Sequence, residues 1–179
     1  MRRTLFAIWV GMVAFAVALG AQKTTQVHPG KGGSPHVRSE WTIHGANISI
    51  EYGRPFLKGR SVGKEVAPFG QPWRTGADEA TTLKTDKPLK FGTLSVPAGT
   101  CTLYTLPGES EWQLIVSTRT GQWGIPYPEG QDLGRVPMKV TKTGSPVEQL
   151  TISIDETAGG GNLRVEWGTT SASVPFTVG

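Results

Sequence analysis

Apolar residues on every second position are the feature that most limits what this chain can become. Trp41 and Ile43 alternate with Thr42 and His44, and Ile48, Ile50 and Tyr52 alternate with Asn47, Ser49 and Glu51. A period of two gives an extended strand one apolar face and leaves the other to water, as in an antiparallel sheet. Gly45-Ala46 between the two runs marks a hairpin turn. Further strands are predicted at 81–85, at 89–96 with a break at Gly92, and at 100–106, 111–117, 136–143, 147–155, 162–167 and 173–178. "PGES" at 107–110 and the glycines at 159–161 turn the chain between them. No 3.6-residue period appears after the first twenty residues, which argues against helical connections. About ten short strands separated by turns predict an all-β fold, an antiparallel β-sandwich of jelly-roll-like character.

The N-terminus reads differently. Met1-Arg2-Arg3 is a positive n-region, Leu5 to Leu19 is an apolar run, and Ala18-Leu19-Gly20 offers small residues where a signal peptidase reads. Residues 1–20 are therefore expected to be a signal peptide cleaved before Ala21, with the mature chain periplasmic or secreted and not stably inserted in a membrane. An apolar run this short falls below the roughly 20 residues of a spanning helix. Residues 21–36, "AQKTTQVHPGKGGSPH", are polar and rich in Gly and Pro, and are expected to form a flexible leader. A single β-sandwich domain over 37–179 follows.

Export changes the reading of charge. The formal net charge of +4 falls to 4 − 2 = +2 once Arg2 and Arg3 leave. From Trp41 onward thirteen Lys or Arg balance thirteen Asp or Glu, so the body carries no electrostatic footprint for nucleic acid. Cys101 is the single cysteine, so no intramolecular disulfide can form and stability must come from the core.

Two segments break the strand rhythm. Residues 53–80, between the second and third predicted strands, hold Gly53, Pro55, Gly59, Gly63, Pro68, Gly70, Pro72 and Gly76. A connection this long inside a compact domain is often functional. Residues 119–134, "RTGQWGIPYPEGQDLG", place Trp123 and Tyr127 among Gly and Pro.

The stretches "ISIEYGRPFLKGR" (48–60), "WRTGADEATTL" (73–83), "VPAGTCTLYTLPGE" (96–109), "DLGRVPMKV" (132–140) and "LRVEWGTTSASVPF" (163–176) together resemble the exported bacterial family known as domain of unknown function 2911. The resemblance spans essentially the whole mature domain and implies no particular chemistry. Members of that family usually carry Asn where this chain has Asp78, and an aromatic residue where it has Cys101. The resemblance therefore gives no role that needs a carboxylate at 78, and it makes Cys101 a poor nucleophile.

The candidate ligand-binding residues are Arg54, Arg60, Trp73, Arg74, Asp78 and Glu79. A planar guanidinium at Arg74 can hold a carboxylate through two parallel hydrogen bonds, supplied either by Asp78 or Glu79 or by a ligand. In an extended stretch 78 and 79 point to opposite faces, so one acid at most is expected to face a pocket. Arg54, Lys58 and Arg60 add positive charge within the same loop, forming an anion site if they converge on Arg74 and a solvated charged loop if they do not. Trp73, Trp123 and Tyr127 sit in irregular segments, where rings either stack on a ligand or pack under the loop.

Catalytic signatures are sparse. Adjacent Asp78 and Glu79 do not make a glycosidase pair without a distant acid such as Asp132. His28, His36 and His44 show no ligand spacing, so neither a metal nor a cofactor is expected. No G-x-S-x-G occurs, and Cys101 alternates with Leu103 as a buried residue would. The favoured reading is a cell-envelope binding or accessory domain with a polar, arginine-rich pocket for an anionic or carbohydrate-like ligand. The alternatives are a hydrolase-type enzyme with Glu79 as general acid or base, and a structural protein without a small ligand.

Overall fold

The computed structural model describes residues 22–179. They form ten antiparallel strands and, among the described residues, no helix. These are β1 (Lys23–His28), β2 (His36–Ile43), β3 (Ala46–Gly53), β4 (Ala77–Thr85), β5 (Leu89–Phe91), β6 (Leu94–Val96), β7 (Gly99–Leu106), β8 (Glu111–Ser117), β9 (Asp132–Thr157) and β10 (Gly160–Val178). Their order in the sheet is β1-β2-β3-β4-β7-β8-β9-β10-β5-β6. No described helix is long and apolar enough to cross a membrane. The expected signal peptide lies outside the described residues.

The alternation read from the sequence is the alternation of burial. Trp41, Ile43, Ile48, Ile50 and Tyr52 are buried and join one apolar core with Leu103, Trp112, Leu114, Leu150, Ile152, Val165 and Trp167. Each such aliphatic side chain removed from water contributes roughly 1.5–3 kcal/mol. The sheet curls so that distant strands meet across this core: the Tyr52 hydroxyl on β3 accepts a hydrogen bond from the Ile152 amide of β9 at 2.9 Å, although β4, β7 and β8 separate the two strands in the sheet. Burial there pushes the Tyr52 hydroxyl above its ordinary pKa, against the opposing effect of the Ile152 contact.

Two details differ from the sequence reading. The leader is not wholly irregular: residues 23–28 are strand β1, paired with β2 from Lys23↔Glu40 to His28↔His36. Its residues are nearly all exposed, so the strand is made by main-chain pairing at a sheet edge. Second, the predicted strands at 136–143 and 147–155 are one element, β9, and those at 162–167 and 173–178 are another, β10. Their shared ladder shifts register around Gly168, which sits at φ +60°. The long loop, which lies between β3 and β4 once β1 is counted, packs against the sheet. Leu57 donates its amide to Glu148 O and Leu150 donates to Pro55 O, while Trp73 exchanges both main-chain bonds with Thr105.

Candidate functional site

A bulge at the start of β4 organises the site. Gly53 of β3 faces Ala77 and Glu51 faces Thr82, so residues 78–81 of β4 oppose Tyr52 alone and are pushed out of the ladder. Two residues here have left-handed backbone, Thr75 at φ +56° and Asp78 at φ +62°. Asp and Asn are the side chains that best tolerate that conformation, which gives position 78 a backbone reason to carry one or the other.

At the left-handed turn of Asp78 both acids reach the same neighbour, the chain from the end of β1 to the start of β2. Asp78 is buried, and its Oδ2 accepts the Lys31 amide at 2.7 Å. Glu79 is about half exposed, and its Oε2 lies 3.1 Å from Nε2 of His36 and 3.8 Å from Nε2 of His28. Both acids contact the segment 28–36, yet they still alternate in burial, Asp78 enclosed and Glu79 open.

His36 reaches Glu79 by crossing β3 over a glycine. It opens β2 opposite Gly53, is almost fully buried, and its Nε2 also lies 3.0 Å from Ala77 O. Both neighbours of Nε2 are acceptors, so that nitrogen carries the proton and donates. A Cβ at Gly53 would come within 2.3 Å of Ala77 O and 2.8 Å of His36 Nε2. His28 stacks on His36 with ring centroids 4.3 Å apart and planes 14° from parallel, and its Nδ1 accepts the Gly30 amide at 3.1 Å.

Arg74 forms the other half of the site. Its guanidinium lies 5.2 Å from the centroid of the Trp123 ring, with Lys31 Nζ 4.9 Å from the same centroid, and Nη1 donates to Trp123 O at 3.1 Å. The 119–134 loop is brought there by Ala80, whose amide donates to Gln122 O, and by Gly124, which sits at φ +90° against Ala80 and Arg74. Burial lowers the Arg74 pKa from its ordinary value, and the fields of Asp78 and Glu79 act to raise it. Among the described residues no carboxylate lies within 4.0 Å of that guanidinium. The Arg74 ion pair considered from sequence is therefore absent from the described contacts.

The other predicted members fall elsewhere. Arg54 donates to Leu150 O and the Thr151 hydroxyl, each at 2.9 Å. Arg60 donates to Leu57 O and Phe56 O within its own turn. The three arginines share no partner, because main-chain carbonyls of the loop and of β9 take the first two. Trp73 is no free platform: it stacks on Trp167 at 5.6 Å and meets Trp112 edge-on at 6.3 Å. Tyr127 is also occupied, bonded to Asp132 and contacted by Arg135, with burial and Asp132 pushing its hydroxyl up to about 12. Of these three rings Trp123 is the one that stays substantially open, 40% exposed. A depression of about 520 Å³ lies elsewhere, on β1–β4, between Lys23, Glu40, Lys84 and Asp86.

His28, His36 and Lys31 were absent from the candidates read from sequence. Their signal is topological, since the turn at 29–35 folds two histidines onto the bulge only once β1 pairs with β2.

Fold and site thus define an all-β domain with one polar rim, where a bulged strand gathers acids, imidazoles and cations. The chain belongs to the family described as Protein of unknown function (DUF2911), whose model matches residues 34–176. No curated protein and no solved structure matches the chain.

Proposed function

We propose that this is an exported binding domain of the cell envelope, whose ligand presents an anionic group, a carboxylate, phosphate or sulfate, free or on a sugar. The ligand anion sits between Arg74 and Lys31 against Trp123. Export rests on the positive n-region and apolar run of residues 1–20.

One observation carries the reading. Arg74 is partly removed from water, yet one protein acceptor and no acid among the described residues engages a group with five N–H donors. A second cation beside the same exposed indole makes the locus attractive to an anion and supplies a flat apolar surface for the rest of a ligand. Arg54 and Arg60 have no place in this site.

Calorimetric titration of the protein with phosphate, sulfate and glucuronate tests the reading. Saturable binding of at least one anion is expected, weakened about tenfold in Arg74→Lys, which keeps the charge and loses the bidentate fork. The melting temperature should hardly change. Absence of binding to all three, or a collapse of melting temperature in Arg74→Lys, contradicts it.

A second reading, a hydrolase-type enzyme with Glu79 as general acid or base, draws support from the two imidazoles beside that carboxylate. Turnover of an envelope substrate that Glu79→Gln abolishes without unfolding is its test.

A further inference from the structure

We propose that His28, His36 and Glu79 form a binding site for a divalent transition-metal ion of zinc-like character. The inference goes beyond the anion site and does not depend on it.

The three side chains come from the end of β1, the start of β2 and the bulge of β4. One ligating atom from each lies within 4.8 Å of the others. Glu79 Oε2 is 3.1 Å from one imidazole Nε2 and 3.8 Å from the other. Ligand atoms bound at about 2.0–2.1 Å to one tetrahedral ion stand roughly 3.3 Å apart, so the oxygen is already at the right range from both nitrogens. Two imidazole nitrogens and one carboxylate are a donor set that suits zinc and leaves a coordination position open. His36 and Gly53 give the cluster a rigid base, because the buried ring is wedged over a position where no side chain fits.

Loading requires one defined movement. The stacked rings direct their in-plane lone pairs along nearly parallel planes, so a common ion needs one ring to turn. His28 is the ring able to do so: its side chain is 42% exposed, against 3% for His36. It also precedes a turn in which Gly30, Gly32 and Gly33 all have positive φ. Coordination through Nε2 displaces the proton there and leaves a neutral ring protonated on Nδ1. The hydrogen bond from the Gly30 amide to Nδ1 therefore opens on loading, and each ring gives its Nε2 proton to solvent while Nδ1 takes one up, so that no net proton is released. His36 correspondingly gives up its bond to Ala77 O. The turn that moves carries Lys31, whose amide is held by Asp78.

The test is calorimetry of the untagged mature chain with Zn(II) alone, alongside nitrogen NMR of the histidine rings. One ion per chain is expected, with affinity reduced about a hundredfold or more in His28→Gln and in Glu79→Gln, and unchanged in His44→Gln. The last variant controls for the separate exposed pair of His44 and Glu156, 3.8 Å apart. His28 should switch from an Nε2–H to an Nδ1–H tautomer as the ion binds. His28 is half exposed, so His28→Gln should fold even if a change at buried His36 does not. Absence of one-to-one binding, binding unaffected by His28→Gln and Glu79→Gln, or an unchanged His28 tautomer at saturation overturns the proposal.

Discussion

His36 on β2 places its Nε2 3.1 Å from Glu79 Oε2 on β4, across a strand, β3, that lies between them in the sheet. The crossing is made at Gly53, the residue paired with His36 on one side and with Ala77 on the other. A missing side chain on the middle strand thus couples the N-terminal segment to the acids of the bulge, and the site depends on that gap.

Gly53→Ala tests the gap. Its Cβ would lie 2.3 Å from Ala77 O, a backbone atom that a rotamer change cannot relieve. Overpacking of this kind costs about 1–3 kcal/mol, or roughly 2–10 °C of melting temperature for a chain of this size. Thermal melts should show that loss, and the His36 ring resonances should shift. A variant as stable as the parent, with His36 unmoved, would show that the ring does not need the glycine.

Arg54 is predicted to be a scaffold residue. Its bonds to Leu150 O and the Thr151 hydroxyl tie the end of β3 to β9. Arg54→Lys should lower stability by about 1–2 kcal/mol, the loss of charge-assisted hydrogen bonds, while leaving anion affinity within a factor of two. Denaturant unfolding and calorimetry on the same variant separate the two effects; weakened binding at unchanged stability would return Arg54 to the site.

Cys101 should be inert in the folded protein. Burial alone pushes its thiol up to about 12, so at neutral pH it is a protonated, enclosed side chain. Ellman's reagent is expected to leave the native protein unlabelled and to react with one thiol per chain in guanidinium chloride. Rapid native labelling would contradict this.

Asp86 predicts an acid-sensitive contribution to stability. Its carboxylate accepts the Asn47 amide and the Asn47 side-chain N–H, both at 2.7 Å, and these hold its pKa below the ordinary carboxylate value. A folded pKa lower than the unfolded one stabilises the fold above the unfolded value, about 4, and that contribution fades as pH drops through the folded value. Asp86→Asn should therefore melt below the parent at pH 7, with the difference closing toward pH 2. A difference independent of pH would assign the effect to geometry instead of charge.

Much of the fold was legible in the sequence because burial follows a period of two. Trp41, Ile43, Ile48, Ile50 and Tyr52 all face the core as their alternation requires. Strand β1 was not legible, since "KTTQVH" buries almost nothing and is held by main-chain bonds to β2 that leave no apolar pattern. The union of two predicted strands in β9 was not legible either, because residues 141–149 bury little and their pairing with β10 shifts register between Lys142 and Val147.

At the site, the interest of Arg74, Asp78 and Glu79 could be read from their density of charge in an irregular stretch. The separate anchoring of Arg54 and Arg60 could not, because backbone carbonyls compete for guanidinium groups and leave no trace in side-chain spacing. His28 and His36 show no ligand spacing in the sequence for a related reason. They are brought together by the β1–β2 pairing and aimed at Glu79 by a left-handed residue at 78, neither of which appears as a ligand motif.

The most direct measurement is the indole N–H resonance of Trp123, assigned by comparison with Trp123→Phe and followed during titration with inorganic phosphate, sulfate and glucuronate. A saturable shift of that resonance is expected with at least one of these anions, with a midpoint raised about tenfold in Arg74→Lys. A Trp123 signal that stays still while the protein takes up the anion elsewhere, or one that responds identically in Arg74→Lys, would contradict the anion site beside Trp123.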